Sequence, residues 1–129
     1  MAGQLRSVEG TSRVSVHKAN TTASEVLLTV PQGYAFELRY IRIMNRGGTN
    51  KSIDMLHTVN SDGSGDVLYI FDDETIATKA DTELPDISLV LLGTKDGTDT
   101  ISVAQDGSST FDIILSGDLS PVPNRLRLG

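Results

Sequence analysis

The sequence predicts an all-β domain, a single β-sandwich of about eight antiparallel strands in a jelly-roll-like arrangement. Three observations predict it. Apolar and polar residues alternate in short runs, as in Phe111, Ile113 and Leu115, the period-two signature of a half-buried strand. Turn residues such as Pro31-Gln32-Gly33 and Asp106-Gly107 separate the runs. No window places apolar residues at helical spacing over the length of a helix.

The elements follow in chain order. Residues 1–11 read as an N-terminal arm. Arg13 to Lys18 alternates and forms a first strand. Glu25 to Val30 is a second, stopped at Pro31-Gln32-Gly33, where Pro sets φ and Gly accepts a positive φ. Tyr34 to Asn45 is a long third strand. Arg46 to Asn50 is a loop, and Ile53, Met55, His57 and Val59 share one parity in a fourth strand. After the polar turn 60–66, Val67 to Phe71 is a fifth. The acidic segment Asp72 to Glu83 has no clear period and allows a short turn of helix. Ile87 to Leu92 is a strand, 93–99 a turn, Thr100 to Ala104 a strand, and Phe111 to Leu115 opens the last. Residues 12–118 therefore form the sandwich, and 119–129, with Pro121 and Pro123, read as an extended C-terminal tail.

The third strand changes rhythm. Phe36 and Leu38 occupy one parity, then Ile41 and Ile43 take the other. A β-bulge near Tyr40-Ile41 would restore one core face throughout, because an inserted residue shifts the parity of all that follow. It would also turn Arg39 and Arg42 outward together. The alternative is a strand buried on both faces.

Composition narrows the function classes. The 129 residues, 38% hydrophobic, suffice for one core. With no Cys, disulfides and thiolate chemistry are excluded. The first residues show no apolar signal core, and no apolar run reaches bilayer length, so a chain made in the cytoplasm is expected, without a membrane partner. The net charge of −6 is unevenly placed. Residues 1–51 hold seven Lys/Arg against three Glu, 52–118 hold two Lys against fourteen Asp/Glu, and 119–129 hold only Arg125 and Arg127 as charges. Either these segments interleave and neutralise one another, or opposite faces meet between subunits. The overall field repels phosphate, so nucleic acid is not expected as a ligand.

Candidate chemical sites are thin. Asp62 to Asp66, Asp72 to Glu74 and Asp96 to Asp99 offer oxygens but lack the spacing of a calcium loop, and read as solvated turns. His17 and His57 lie far apart with no nucleophile elbow, and read as packing or surface residues. Tyr34, Tyr40 and Tyr69 are the aromatics available to a glycan platform. No catalytic, metal or cofactor residue is assigned. The ends carry more information: Leu5, Arg6, Leu119, Val122, Arg125, Leu126, Arg127 and Leu128 space Leu and Arg along extended segments that can lie on a neighbour's groove or sheet edge.

The stretch Val30-Pro31-Gln32-Gly33-Tyr34, a strand closing on Ile41-Arg42-Ile43-Met44-Asn45, Leu84-Pro85 before the apolar run Ile87–Leu92, and Thr100-Ile101-Ser102-Val103 before a last strand ending Ile113-Ile114-Leu115-Ser116-Gly117 together resemble the small β-sandwich structural proteins of tailed bacteriophages. The resemblance spans residues 26–117. It departs at Asp86-Ile87, where a Pro-x-Gly turn is common in that group. It implies a non-enzymatic protein of the virion. The leading expectation is a capsid decoration or cement protein, homo-oligomeric and bound to the major capsid protein or another virion protein. The alternatives are a tail, baseplate, neck or fibre component and, from another class, a glycan-binding module. The interface expected on these grounds comprises Leu5, Arg6, Arg125, Leu126, Arg127 and Leu128 in the arms, with Arg39, Arg42 and Arg46 as a basic face.

Overall fold

The protein's structure, a computed structural model, describes residues 3–4, 10–21, 24–105 and 110–122. The strands are β1 (Gly3–Gln4), β2 (Ser12–Thr21), β3 (Glu25–Thr29), β4 (Tyr34–Asn45), β5 (Lys51–Val59), β6 (Asp66–Ile76), β7 (Asp81–Leu84), β8 (Leu89–Thr94), β9 (Gly97–Thr98), β10 (Thr100–Ala104) and β11 (Phe111–Pro121). No helix occurs among the described residues. The strands form two sheets, one in the order β1-β3-β10-β5-β6 and one in the order β2-β11-β4-β8-β9, with β7 beside β4. All pairings are antiparallel except β1 with β3. This is the expected β-sandwich, with its core between the sheets.

The core is built by alternation. β11 turns Phe111, Ile113, Leu115, Gly117 and Leu119 inward at every second position. β5 does the same with Ile53, Met55 and His57. Two neighbours, Leu27 and Leu28, are both buried. The register between β3 and β10 explains this: Ile101 faces Leu28 while Ser102 faces Val26, so Leu27 is an extra residue.

β4 resolves its parity change by a bulge. Tyr40 pairs with Ser116 and Leu38 with Gly117, so Arg39 has no counterpart on β11. The bulge sits one residue before the expected place. Phe36, Leu38, Ile41 and Ile43 all reach the core, while Arg39 is exposed and Tyr40 half-buried. On the other side of β4, the strand that would match it breaks into β7 and β8. The backbone N–H of Ile87, between them, donates to the Arg39 carbonyl at 3.3 Å.

Four expectations change. The acidic segment Asp72 to Glu83 contains no helical turn: β6 runs to Ile76, a turn follows with Lys79 at φ 61°, and β7 starts at Asp81. The 93–99 turn includes the short strand β9. At the N terminus, Gly3 and Gln4 pair with Leu28 and Thr29, so this part of the arm joins a sheet. At the C terminus, β11 continues to Pro121, opposite Tyr34, and Leu119 is fully buried opposite Phe36. Leu119 therefore belongs to the sandwich. Pro121 misled the reading because proline is tolerated where a strand ends.

Gly117 marks the tightest approach. A Cβ there would lie 2.1 Å from the Glu37 carbonyl oxygen and 2.7 Å from the Phe36 ring. Backbone and a core ring cannot both yield. Gly117→Ala should destabilise the fold by about 1–3 kcal/mol, the range for overpacking, measured as a lower denaturation midpoint with unchanged m-value.

Candidate functional site

The three strand and loop arginines share the outer face of β4. Arg39 Nε bonds Asp118 Oδ2 at 3.1 Å, and Arg39 also pairs with Glu37 at 3.2 Å. Arg13 Nε takes the other Asp118 oxygen at 2.7 Å. Arg42 pairs with Asp81 at 2.7 Å and Arg46 with Asp112 at 3.1 Å. Hydrogen bonds from Arg13, and secondarily from Arg39, hold the Asp118 carboxyl below the usual carboxylate range. The stripe therefore carries its own counter-ions, drawn from the acidic half of the sequence. Of the two readings of charge segregation, the interleaved one describes this face. Exposed pairs of this kind add little stability, since water screens them and side-chain entropy opposes them. The other expected interface residues, Leu5, Arg6, Arg125, Leu126, Arg127 and Leu128, lie outside the described residues.

The tyrosines separate. Tyr34 packs against the core. Tyr40 donates its hydroxyl to Glu83 at 2.8 Å, and this bond raises its pKa. Tyr69 alone of the three is openly exposed, at 55%.

One polar cluster is internal. Asp99 is 2% exposed. Its Oδ1 accepts the backbone N–H groups of Asn60 and Ser61 at 3.0 and 2.9 Å. Its Oδ2 accepts the N–H of Leu92 at 3.0 Å and lies 3.2 Å from His57 Nε2. Thr94 Oγ1 donates to the Ser61 carbonyl at 2.5 Å. Burial pushes the Asp99 carboxyl upward, but the bonds from Leu92, Ser61 and His57 together outweigh it and hold it below the ordinary value near 3.8. The cluster fastens the β5–β6 turn to β8 and to the start of β10. Asp99 thus departs from the expected solvated turn, and His57 from a plain packing residue. Asp62, by contrast, does cap a surface turn, accepting from Ser64 N at 2.9 Å.

The cluster holds an Asp, a His and a Ser, yet its geometry is that of a fastener. The histidine meets the carboxylate, and its other ring nitrogen has no protein partner. A hydrolytic triad needs the serine hydroxyl on that second nitrogen. Among the described residues, no three His, Asp or Glu side chains converge on a point where an ion could sit. A broad polar cleft of about 570 Å³ is lined by Asn50–Asp54, Asp73, Ser24, Ala104 and Gln105.

An unexpected surface lies on β6. Val67, Leu68 and Tyr69 are consecutive and exposed at 46%, 52% and 55%. β6 closes its sheet on one side only: it pairs with β5, and no other described strand covers its far edge. Leu68 pairs with His57 and so faces the inter-sheet side, whereas Val67 and Tyr69 face outward beside Thr58 and Leu56. The sequence predicts a strand over Val67 to Phe71 and does not by itself mark it as an exposed surface. Three consecutive large apolar residues in a strand mean apolar character on both faces, which was the available signal.

No family model matches the chain, and no curated protein matches it. Solved structures similar to the chain include three. One comes from work on Bacillus endospore appendages that form disulfide-linked pili, 9% identical over 88% of each chain with a TM-score of 0.44. The second is the Drosophila NLP core, described for pentamer formation and histone binding, 12% identical over 86% of this chain and 98% of that one, TM-score 0.44. The third is infectious bursal disease virus, Gx strain, 8% identical over 93% of this chain and 33% of that one, TM-score 0.49.

The Asp99 cluster yields a test. Asp99→Asn keeps the side-chain shape but removes the charge and sets an amide NH2 against an N–H group that a carboxylate oxygen accepts. Leaving buried donors unsatisfied in this way costs about 1–3 kcal/mol. Because folding lowers the Asp99 pKa, its stabilisation is complete above the unfolded value and is lost as pH falls through the folded one. Wild-type stability should therefore decline below about pH 4, and denaturation curves of Asp99→Asn should decline less steeply there.

Proposed function

We propose that the chain is a non-enzymatic structural protein of a virion, a decoration or cement protein that binds at joints between capsid subunits. The observation that carries the reading is the exposed Val67-Leu68-Tyr69 run on the open edge of β6. Contiguous apolar surface on a sheet edge marks a site of association, since proteins that remain monomeric blunt such edges. The tailed-phage resemblance over residues 26–117 supports the virion as the setting. Its Val-Pro-x-Gly turn is the bend into β4, where Gly33 has φ 86° and its N–H donates to the Gly93 carbonyl at 2.8 Å.

The mechanism is one of linkage. A protein that binds the assembled shell and not its free subunits stabilises the shell by mass action. The ion-paired arginines of β4 are set aside as the contact, because recruiting them would first require breaking pairs already made. The contact moves to β6 and to the terminal segments.

A tail, baseplate, neck or fibre role is the second reading. The rival roles differ in copy number. A cement protein follows the capsid lattice, whereas a tail component follows the low symmetry of the tail. Densitometry of purified virions should return a capsid-scale copy number. A tail-scale number would favour the second reading, and absence from virions would overturn both. Removing residues 123–129, which leaves Leu119 in place, should abolish incorporation while the isolated domain keeps its β-sheet circular dichroism spectrum.

A further inference from the structure

We infer that the open edge of β6 receives the C-terminal segment 123–129 of a second copy of this chain, which adds to the sheet as a further strand. The inference goes beyond the virion reading and requires only another copy.

The edge shows what it needs. Among the described residues its far backbone edge is unpaired, and it offers an apolar residue on each face and acidic neighbours. Asp62, Asp66, Asp72, Asp73 and Glu74 bracket the apolar run, and none forms an ion pair among the described residues. A strand that completes this edge should therefore be apolar and basic in alternation.

The chain contains such a strand. Arg125-Leu126-Arg127-Leu128 alternates with period two, and the only charges of residues 119–129 are its two arginines. Added to β6, the leucines would join Leu68 on the inter-sheet side. The arginines would lie outward, beside Val67 and the Tyr69 ring, where a guanidinium stacks well. Main-chain hydrogen bonds supply affinity and the alternating side chains supply register, as in other strand additions. Pro123 opens the segment ahead of the alternating strand, where its missing N–H does no harm.

Competing occupants fit less well. The N-terminal residues Gly3 and Gln4 are already paired at the opposite edge of the same sheet. Two β6 edges meeting each other would bring two acidic strands together. The chain's own tail starts from Val122, whose N–H donates to the Gly33 carbonyl at 2.9 Å. The strand it follows, β11, lies in the other sheet, and closure of the edge by the chain's own tail is the rival outcome in the test below. Because tail and edge are different surfaces, the contact propagates into a ring or filament unless two copies exchange tails reciprocally.

The chain has no cysteine, which makes the test direct. Leu68→Cys protein is mixed with Leu126→Cys or Leu128→Cys protein and oxidised mildly. A disulfide between the two different variants is expected in at least one mixture. No mixed disulfide in either mixture overturns the inference, as does cross-linking of Leu68→Cys only to itself. A monomeric, internally closed product as the main species from the Leu68→Cys/Leu126→Cys double variant overturns it too. In sedimentation of the full chain, Arg125→Glu/Arg127→Glu should abolish self-association, and adding Val67→Lys/Asp72→Lys, on the face where the arginines would lie, should restore it. Association that survives the first pair also overturns the inference. Neither experiment involves a virion, so failure here is separable from failure of the virion reading.

Discussion

The bulge at Arg39 is the constraint on which the rest of the sandwich depends. β4 is the strand against which β11, β7 and β8 are laid, so its local geometry is imposed on three neighbours. One inserted residue lets Phe36 and Leu38 share a face with Ile41 and Ile43. Without it, either the first pair or the second would face solvent, and burying each such side chain is worth roughly 1.5–3 kcal/mol. The insertion must be absorbed on both sides. Gly117 absorbs it on β11 by having no side chain where the Glu37 carbonyl and the Phe36 ring approach. The Leu84-Pro85 corner absorbs it on the other side by ending β7 and restarting as β8. Gly117, Pro85 and Arg39 thus answer one geometric fact.

The same bulge arranges the outer charges. It turns Arg39 and Arg42 to one side, where Asp118 and Asp81 meet them. Asp118 stands next to Gly117, so the residue that makes room for the bulge is followed by the one that neutralises it. Positive charge from the first part of the chain is spent within the sheet β2-β11-β4. Among the described residues, five acids without an ion pair, Asp62, Asp66, Asp72, Asp73 and Glu74, stand on β6 and its flanking turn, at the far edge of the other sheet.

Much of this was legible, for identifiable reasons. Strand positions followed the period-two pattern, and the parity change of residues 34–45 gave the bulge to within one residue, because side-chain direction in a strand is binary. β7 was missed because an exposed four-residue strand of Asp, Thr, Glu and Leu buries too little to leave a pattern. The end of β11 was misplaced because Pro121 outweighed the inward parity that Leu119 shares with Phe111, Ile113 and Leu115. Asp99 was taken as a solvated turn residue, although its parity with Ile101 and Val103 pointed inward. Its partners lie 7 to 42 positions away, and no local pattern encodes a carboxylate met by three distant N–H groups. The functional residues were legible only as composition. Which arginines stay available depends on which acids fold against them, and that is a property of register.

Edge and charge, taken together, explain why an exposed apolar strand can be tolerated. A bare strand edge with Val67, Leu68 and Tyr69 would invite indiscriminate pairing. Acidic residues on both sides of the run oppose the commonest error, two identical edges meeting, because like charge accumulates when they do. The same residues favour a basic strand. The discrimination is therefore built from repulsion of one partner as much as attraction of another. On this account the net charge of −6 is not a solubility device spread over the surface. The arginines at β4 bind their acids in place, the carboxylate of Asp99 is sealed inside, and of the acids left without an ion pair among the described residues, Asp62, Asp66, Asp72, Asp73 and Glu74 stand on β6 or its flanking turn.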